Sequence, residues 1–257
     1  MTTTYPGGLW RPLGKATQYG LARHDIVCVH TMVGSLTGTD AYFRSTSTSS
    51  NSHFGVGGAW GPDRAAGLDG AVWQWVDLEQ EAYANYEGNW RVVSVETADN
   101  GVRPIEPWTA RQMATLTRLI TWLCGRYDIP PVLVPDTQVN RRGLAYHAQG
   151  AAEHTAGEWW SATRSKDCPT SSRIDQFKHI VIPRVQQALA PKPTEEDMGL
   201  IIVRADGHGP LVLTDGFKRR NISNTERAGW ATAGVRELNL TGAPDSYDEM
   251  VSGLEPA

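Results

Sequence analysis

The chain has 257 residues, of which 40% are hydrophobic and 20% are charged, fractions typical of a globular protein. Its formal net charge of −4 argues against broad electrostatic binding of nucleic acid, which requires clustered cations. No apolar run approaches the roughly 18 residues that cross a bilayer, so we expect no membrane insertion. By the usual size of domains, this length favours two of them.

The first 24 residues are rich in Gly, Pro and Thr and show no periodicity, so we predict a loop that wraps the first domain. They lack the basic segment and apolar core of a secretory signal, and we therefore expect no signal peptide. The three cysteines, Cys28, Cys124 and Cys168, are too few and too scattered for a disulfide framework. Synthesis in a reducing cytoplasm fits both observations.

Four segments have the apolar or alternating pattern of β-strands. They are residues 25–32, 52–57, 71–76 and 91–97. The first is apolar on both faces, which predicts a central strand covered on both sides. Residues 37–46 predict a short helix, and the turn formers at 61–70 predict a hairpin connection. In the fourth strand Glu96 shares a face with Ser94, and a carboxylate in the inner half of a sheet is unusual.

Two longer helices follow the strands. Thr109 and Gln112 have the spacing of a capping box and open an amphipathic helix that ends near Asp128. Prolines then interrupt regular structure until a second helix, predicted from Ile174 to Leu189 with a bend at Pro183. This helix closes the predicted first domain, residues 1–189.

A linker and a smaller unit complete the chain. Residues 190–197 contain two prolines and three consecutive acids, a composition typical of linkers. Residues 198–257 then predict a small unit, near the lower size limit for independent folding. Its predicted elements are strands at 200–204 and 210–213 and a helix at 223–234.

A histidine and a cysteine meet in one stretch, residues 146–169, which also holds a lysine and two tryptophans. Imidazole nitrogen and thiolate sulfur are ligands that zinc prefers, and a catalytic zinc needs three protein ligands. His147 and Cys168 supply two, and His30, at the end of the first predicted strand, is the best candidate for the third. We therefore predict a zinc site of His30, His147 and Cys168 with an open fourth position for water.

Several other residues are weaker candidates. His154 and Asp167 are alternative ligands, although His154 lies in a loop expected to face solvent. Cys28 is two residues before His30 and most simply packs beneath it. Trp159 and Trp160 could stack on sugar rings or cover a core.

Four segments in this order resemble the zinc-dependent N-acetylmuramoyl-L-alanine amidases. They are Val27-Cys-Val-His-Thr31, Val93-Ser-Val-Glu96, Ala145-Tyr-His147 and Lys166-Asp-Cys-Pro169. The resemblance covers about residues 20 to 190. It implies an α/β fold with a central mixed β-sheet flanked by helices, as in the peptidoglycan-recognition proteins and many phage endolysins. The small C-terminal unit, predicted to be α+β, lies outside it.

The resemblance also implies roles for site residues. His30, His147 and Cys168 match the zinc ligands, Glu96 matches the acidic residue assigned as general base, and Lys166 matches the lysine two before the ligand cysteine. Many phage members have a tyrosine directly before the His-Phe pair of the next strand, where this chain has Ser52. That departure removes one proposed catalytic phenol and places more weight on Glu96.

The resemblance leads to three hypotheses about function. The first is a monomeric endolysin that cuts peptidoglycan between N-acetylmuramic acid and L-alanine, made in the host cytoplasm and released through a holin-type pore. Its residues 198–257 would attach it to the cell wall or serve a purely structural role. The second is a non-catalytic peptidoglycan-binding protein, and the third is a cytoplasmic amidase that recycles muropeptides.

Overall fold

The structure is a computed structural model of the whole chain. It describes residues 2–15, 19–151, 156–164, 166–190, 201–204, 211–214, 218–225, 227, 236–239 and 255–256. The chain divides into two compact units, Met1–Ala190 and Pro191–Ala257.

The first unit is built on a six-stranded sheet. Its strands are β1 (Leu9–Trp10), β2 (Ile26–Thr31), β3 (Phe54–Val56), β4 (Val72–Gln74), β5 (Val92–Thr97) and β6 (Gly143–Tyr146). They lie in the order β1-β4-β3-β5-β2-β6, and all neighbours are parallel except the antiparallel pair β3 and β4. The predicted mixed sheet and the hairpin connection between its second and third predicted strands are therefore confirmed.

Two strands of the first unit were not predicted. The lead-in of residues 1–24 was expected to be a loop, but Leu9 and Trp10 pair in parallel with β4 at the sheet edge. The chain also forms β6 directly before His147, where no regular structure was predicted. Both strands are short, and strands of two to four residues are too short to show a periodicity.

β2 occupies an interior position of the sheet, between β5 and β6. All six of its residues are buried, as the doubly apolar pattern predicted. The register with β5 pairs His30 with Glu96 and Thr31 with Thr97. Parallel strands end at the same edge of a sheet, so these four residues meet at one carboxyl-terminal edge.

Helices flank this sheet. They are α1 (Leu36–Arg44), α2 (Gly61–Ala65), α3 (Ala110–Tyr127), α4 (Ser171–Gln176) and α5 (Ile182–Leu189), with a π-helical turn (Phe177–Val181) joining the last two. The predicted capping box of Thr109 and Gln112 is present at the start of α3. The turn predicted at 61–70 contains α2, which has a proline in its first turn.

The second long helix differs from its prediction in where it starts. It begins at Ser171 rather than near Ile174. Pro183, which was expected to bend this helix, lies in the first turn of α5, two residues after a π-helical turn. The bend itself stays a prediction. Apolar residues of α3 and α5, among them Leu123 and Val185, belong to the same core cluster as the residues of β2 and β5 that face it.

The second unit contains a five-stranded sheet. Its strands are β7 (Ile201–Arg204), β8 (Leu211–Thr214), β9 (Lys218–Ile222), β10 (Arg236–Asn239) and β11 (Glu255–Pro256), in the order β10-β7-β8-β9-β11. β7 and β8 are the two predicted strands, and they pair in antiparallel fashion. The predicted linker beyond Ala190 and most of the helix predicted at 223–234 lie outside the described residues. No helix in the described ranges is long and apolar enough to cross a membrane.

Candidate metal centre

The structure brings His30, His147 and Cys168 together, with their ligand atoms all within 4.8 Å of one another. Each comes from a different element at the carboxyl-terminal edge of the sheet. His30 belongs to β2, His147 opens the 3₁₀ turn that follows β6, and Cys168 lies in the loop before α4. The three side chains line one cavity of about 300 Å³.

The orientation of His147 is fixed by a backbone group. Its Nε2 atom lies 2.7 Å from the carbonyl oxygen of Trp160. A carbonyl only accepts hydrogen bonds, so Nε2 carries the proton and Nδ1 keeps the lone pair that can bind a metal. Burial lowers the pKa of His147 to about 4, so the imidazole is neutral at physiological pH.

A side chain orients His30 in the same way. Its Nε2 lies 3.3 Å from Oδ1 of Asn85, which leaves Nδ1 for a ligand. The two imidazole rings are tilted by 44° relative to each other, with 4.4 Å between their centroids. Burial, followed by the proximity of His147, lowers the pKa of His30 well below its usual value. No pattern in the sequence points to Asn85, which lies in an irregular segment after β4.

The thiol of Cys168 is held by the end of β2. The backbone N–H of Thr31 donates to its Sγ atom at 3.3 Å, and the N–H of Ala148 donates to its carbonyl oxygen at 2.8 Å. Burial and the nearby carboxyl of Glu96 raise the pKa of this thiol. A bound cation favours the thiolate, as at other cysteine ligands.

Glu96 and Lys166 line the same cavity as the three ligand candidates. Oε1 of Glu96 lies 3.8 Å from Nδ1 of His30, while its Oε2 is buried and has no hydrogen-bond partner among the described residues. Burial, with a further contribution from Asp99, raises the pKa of Glu96 to about 8, although Lys166 acts in the opposite direction. Lys166 itself is exposed.

These residues fit a zinc ion. Two imidazoles with free Nδ1 atoms and one thiol are a donor set that zinc binds in catalytic sites. A buried carboxylate oxygen without a partner costs free energy unless a cation or a water molecule satisfies it. In the described part of the chain, no other group of three histidine, cysteine or acidic side chains converges in this way.

The weaker candidates lie elsewhere. Asp167 points to Arg103, with 2.7 Å between Oδ2 and Nη1, and is not among the converging side chains. Cys28 is fully buried in a small core cluster with Trp160, so the predicted packing role agrees with its position. Trp160 is only 1% exposed and cannot offer a face to a sugar. His154 lies outside the described residues.

Ser52, in the position of the family's tyrosine, is fully buried and does not line the cavity. Its hydroxyl donates to the carbonyl oxygen of Ser94, a residue of β5, at 3.0 Å. Tyr83, from an irregular segment, lines the cavity instead. Sequence patterns did not single it out, because it belongs to neither a strand nor a helix.

The sequence pattern of one family, described as N-acetylmuramoyl-L-alanine amidase, matches residues 20–171. No curated protein matches the chain.

Solved structures similar to the chain include the following two. The Staphylococcus aureus hydrolase AmiA in complex with its ligand is 14% identical, covers 74% of this chain and 90% of its own, and has a TM-score of 0.51. The N-acetylmuramoyl-L-alanine amidase LysC from Clostridium intestinale is 13% identical, with 73% and 100% covered and a TM-score of 0.43. The likeness to the first shows a shared fold.

Proposed function

Because the chain belongs to the N-acetylmuramoyl-L-alanine amidase family, we propose that its first unit is a zinc-dependent hydrolase of peptidoglycan. The bond cleaved joins the lactyl group of N-acetylmuramic acid to L-alanine. The observation that carries the proposal is the convergence of His30, His147 and Cys168 in one cavity with Glu96.

His30, His147 and Cys168 would hold the ion, through the Nδ1 atoms that their other hydrogen bonds leave free and through the thiolate sulfur. Zinc in such a site polarises an amide carbonyl and lowers the pKa of water toward about 7. The hydrogen bonds from Asn85, Trp160 and Thr31 hold the three ligands in place before substrate arrives.

Glu96 acts as the general base. Its free Oε2 accepts a proton from the water that attacks the amide carbon, and the same carboxyl can return that proton to the leaving amine. General acid–base catalysis of this kind contributes roughly 10²- to 10⁴-fold to a rate.

Lys166 stabilises negative charge that develops on the carbonyl oxygen. Its ammonium group is exposed at the cavity and lies on the loop that carries Cys168. A cation aimed at a developing oxyanion lowers the barrier because its attraction is stronger in the transition state than in the ground state.

The setting that we propose is lysis of a bacterial host by a phage. The enzyme would be made in the host cytoplasm, reach the wall through a holin-type pore and act as a monomer. The second compact unit supports a wall-directed role, because an enzyme that works on an insoluble polymer gains from a second point of attachment. Soluble muropeptides require no such anchor.

Digestion of purified cell walls tests the reaction. We expect new L-alanine amino termini without new reducing sugars, and loss of both lysis and new termini after zinc is removed by a chelator. Reducing sugars without new amino termini would instead identify a glycosidase. Binding to walls without cleavage, in protein supplied with zinc, would identify a recognition protein, and cleavage of soluble muropeptides alone would identify a recycling amidase.

A further inference from the structure

Arg173, in the first turn of α4, is fully buried behind the metal centre. Its guanidinium makes a dense set of hydrogen bonds. The acceptors are Oγ1 of Thr31 at 3.1 Å, Oγ1 and O of Thr97 at 3.0 and 3.5 Å, O of Ala98 at 3.1 Å and O of Glu106 at 2.8 Å. No sequence pattern singled out this residue, because its partners come from three distant segments.

Two of these acceptors directly follow site residues in the chain. Thr31 comes after His30 and ends β2, while Thr97 comes after Glu96 and ends β5. A single atom, Nη1 of Arg173, reaches both threonine hydroxyls. The hydroxyl of Thr97 in turn donates to the carbonyl oxygen of His30 at 2.5 Å. Arg173 therefore joins the ends of the two strands that carry His30 and Glu96.

The same residue is connected to the third ligand. The N–H of Thr31 donates to Sγ of Cys168, and the hydroxyl of Thr31 bonds to both Arg173 and Asp99. Arg173 also lies only five residues after Cys168, on the helix that the cysteine loop enters. One side chain thus connects the strand of His30, the strand of Glu96 and the loop of Cys168.

We propose that Arg173 is a positioning residue of the metal centre, which holds His30, Glu96 and Cys168 at the separations that zinc binding requires. This inference rests on the proposed function, because it concerns the same ion. Arg173 touches neither the ion nor the substrate in this role. It acts by limiting how far the two strand ends and the loop can move apart, so that the ligands need little rearrangement.

Zinc affinity distinguishes this role from a general contribution to folding. Arg173→Met removes every donor and keeps much of the apolar stem, so we expect the zinc dissociation constant to rise about 10- to 100-fold, as for other residues that support metal ligands. Arg173→Lys should give a smaller rise, since one ammonium cannot reproduce the fork that spans both threonines.

Leu123→Ala is the matched control. Leu123 is fully buried on α3 and lines no part of the cavity, so its truncation lowers the melting temperature without touching the network. A variant that stays folded at the assay temperature keeps its zinc affinity, whatever its loss of stability. Competition with a chromophoric chelator, run on the full chain with circular dichroism to verify folding, provides the measurement.

Equal zinc affinity in Arg173→Met and in the wild type overturns the inference. If Arg173→Met fails to fold, Arg173→Lys and Thr97→Val decide by the same measurement, because Thr97→Val removes the hydroxyl that links Arg173 to His30. Wild-type affinity in both also overturns it. A wild-type chain that binds no zinc overturns the proposed function. Failure of the proposed function is therefore seen in the wild type, and failure of the inference is seen as unchanged zinc affinity in the variants.

Discussion

The Nε2 atom of His147 lies 2.7 Å from the carbonyl oxygen of Trp160, thirteen residues later in the chain. This carbonyl is placed by close packing, because the ring of Trp160 covers Gly150. The backbone N–H of Trp160 also donates to the carbonyl oxygen of Gly150 at 2.7 Å. The tautomer of His147, a candidate zinc ligand, thus depends on a glycine that leaves room for a tryptophan.

Gly150→Ala should weaken zinc binding. The added Cβ would lie 2.4 Å from Cγ of Trp160, so the tryptophan and its carbonyl must move. We expect the zinc dissociation constant to rise about tenfold, as when a supporting hydrogen bond to a ligand is lost. Chelator competition provides the measurement.

Gly125→Ala is the control for this substitution. Gly125 lies in α3, and its new Cβ would meet only the side chain of Leu189 on α5, at 3.9 Å. Alanine in a helix interior stabilises by roughly 0.5–1 kcal/mol relative to glycine, so this variant should gain stability and bind zinc normally. Identical zinc affinities in the two variants would contradict the role of the Trp160 carbonyl.

His53 should make the fold less stable in mild acid. It is fully buried and bonds to the carbonyl oxygen of Gln80, and burial lowers its pKa to about 4 from 6.5. The unfolded chain therefore binds a proton on His53 more readily than the folded chain. Its contribution to stability is fully present above about pH 6.5 and is lost as the pH falls toward 4, by about 3 kcal/mol in total.

A comparison with His53→Gln isolates this contribution. Denaturant unfolding of both proteins between pH 7 and pH 4 gives the difference in their free energies of unfolding. We expect the advantage of the wild type to shrink steadily across this range, since glutamine does not titrate. A difference that stays constant with pH would show that His53 does not titrate as described.

The sequence predicted the strands that have an apolar or alternating pattern and the helix that begins with a capping box. The apolar run of β2, the alternation in β5 and the capping box of α3 are local signals, and each lies where it was expected. The edge strand β1 was missed because it is only two residues long, and its pairing depends on β4, about sixty residues away.

In the candidate site, too, some residues could be predicted from the sequence and others could not. The residues singled out by type and spacing, His30, His147 and Cys168, converge in the structure. The groups that orient the two histidines by hydrogen bonds could not be predicted from the sequence. Asn85 lies in an irregular segment, and Trp160 acts through its backbone carbonyl. A hydrogen bond between distant segments leaves no local pattern, and only the folded chain reveals it.

Residues beyond the first unit should raise the rate of hydrolysis of insoluble cell walls and leave the rate on soluble muropeptides unchanged. We expect a chain that ends at Pro193 to hydrolyse soluble muropeptides as fast as the full chain, but whole walls more slowly at low enzyme concentration. Tethering raises the local concentration of the catalytic site at a surface without changing its intrinsic activity. Equal rates on whole walls, with equal solubility and stability, would leave the second unit a structural role.

Zinc content measured together with the rate of wall hydrolysis, in the wild type, Glu96→Gln and Cys168→Ala, tests the central claim most directly. We predict about one zinc per chain in the wild type and in Glu96→Gln, and little in Cys168→Ala, which loses a ligand. Glu96→Gln should nevertheless hydrolyse walls roughly 10²- to 10⁴-fold more slowly, because it keeps the ion and loses the base. Near-normal turnover in Glu96→Gln, or a full complement of zinc in Cys168→Ala, would contradict the account.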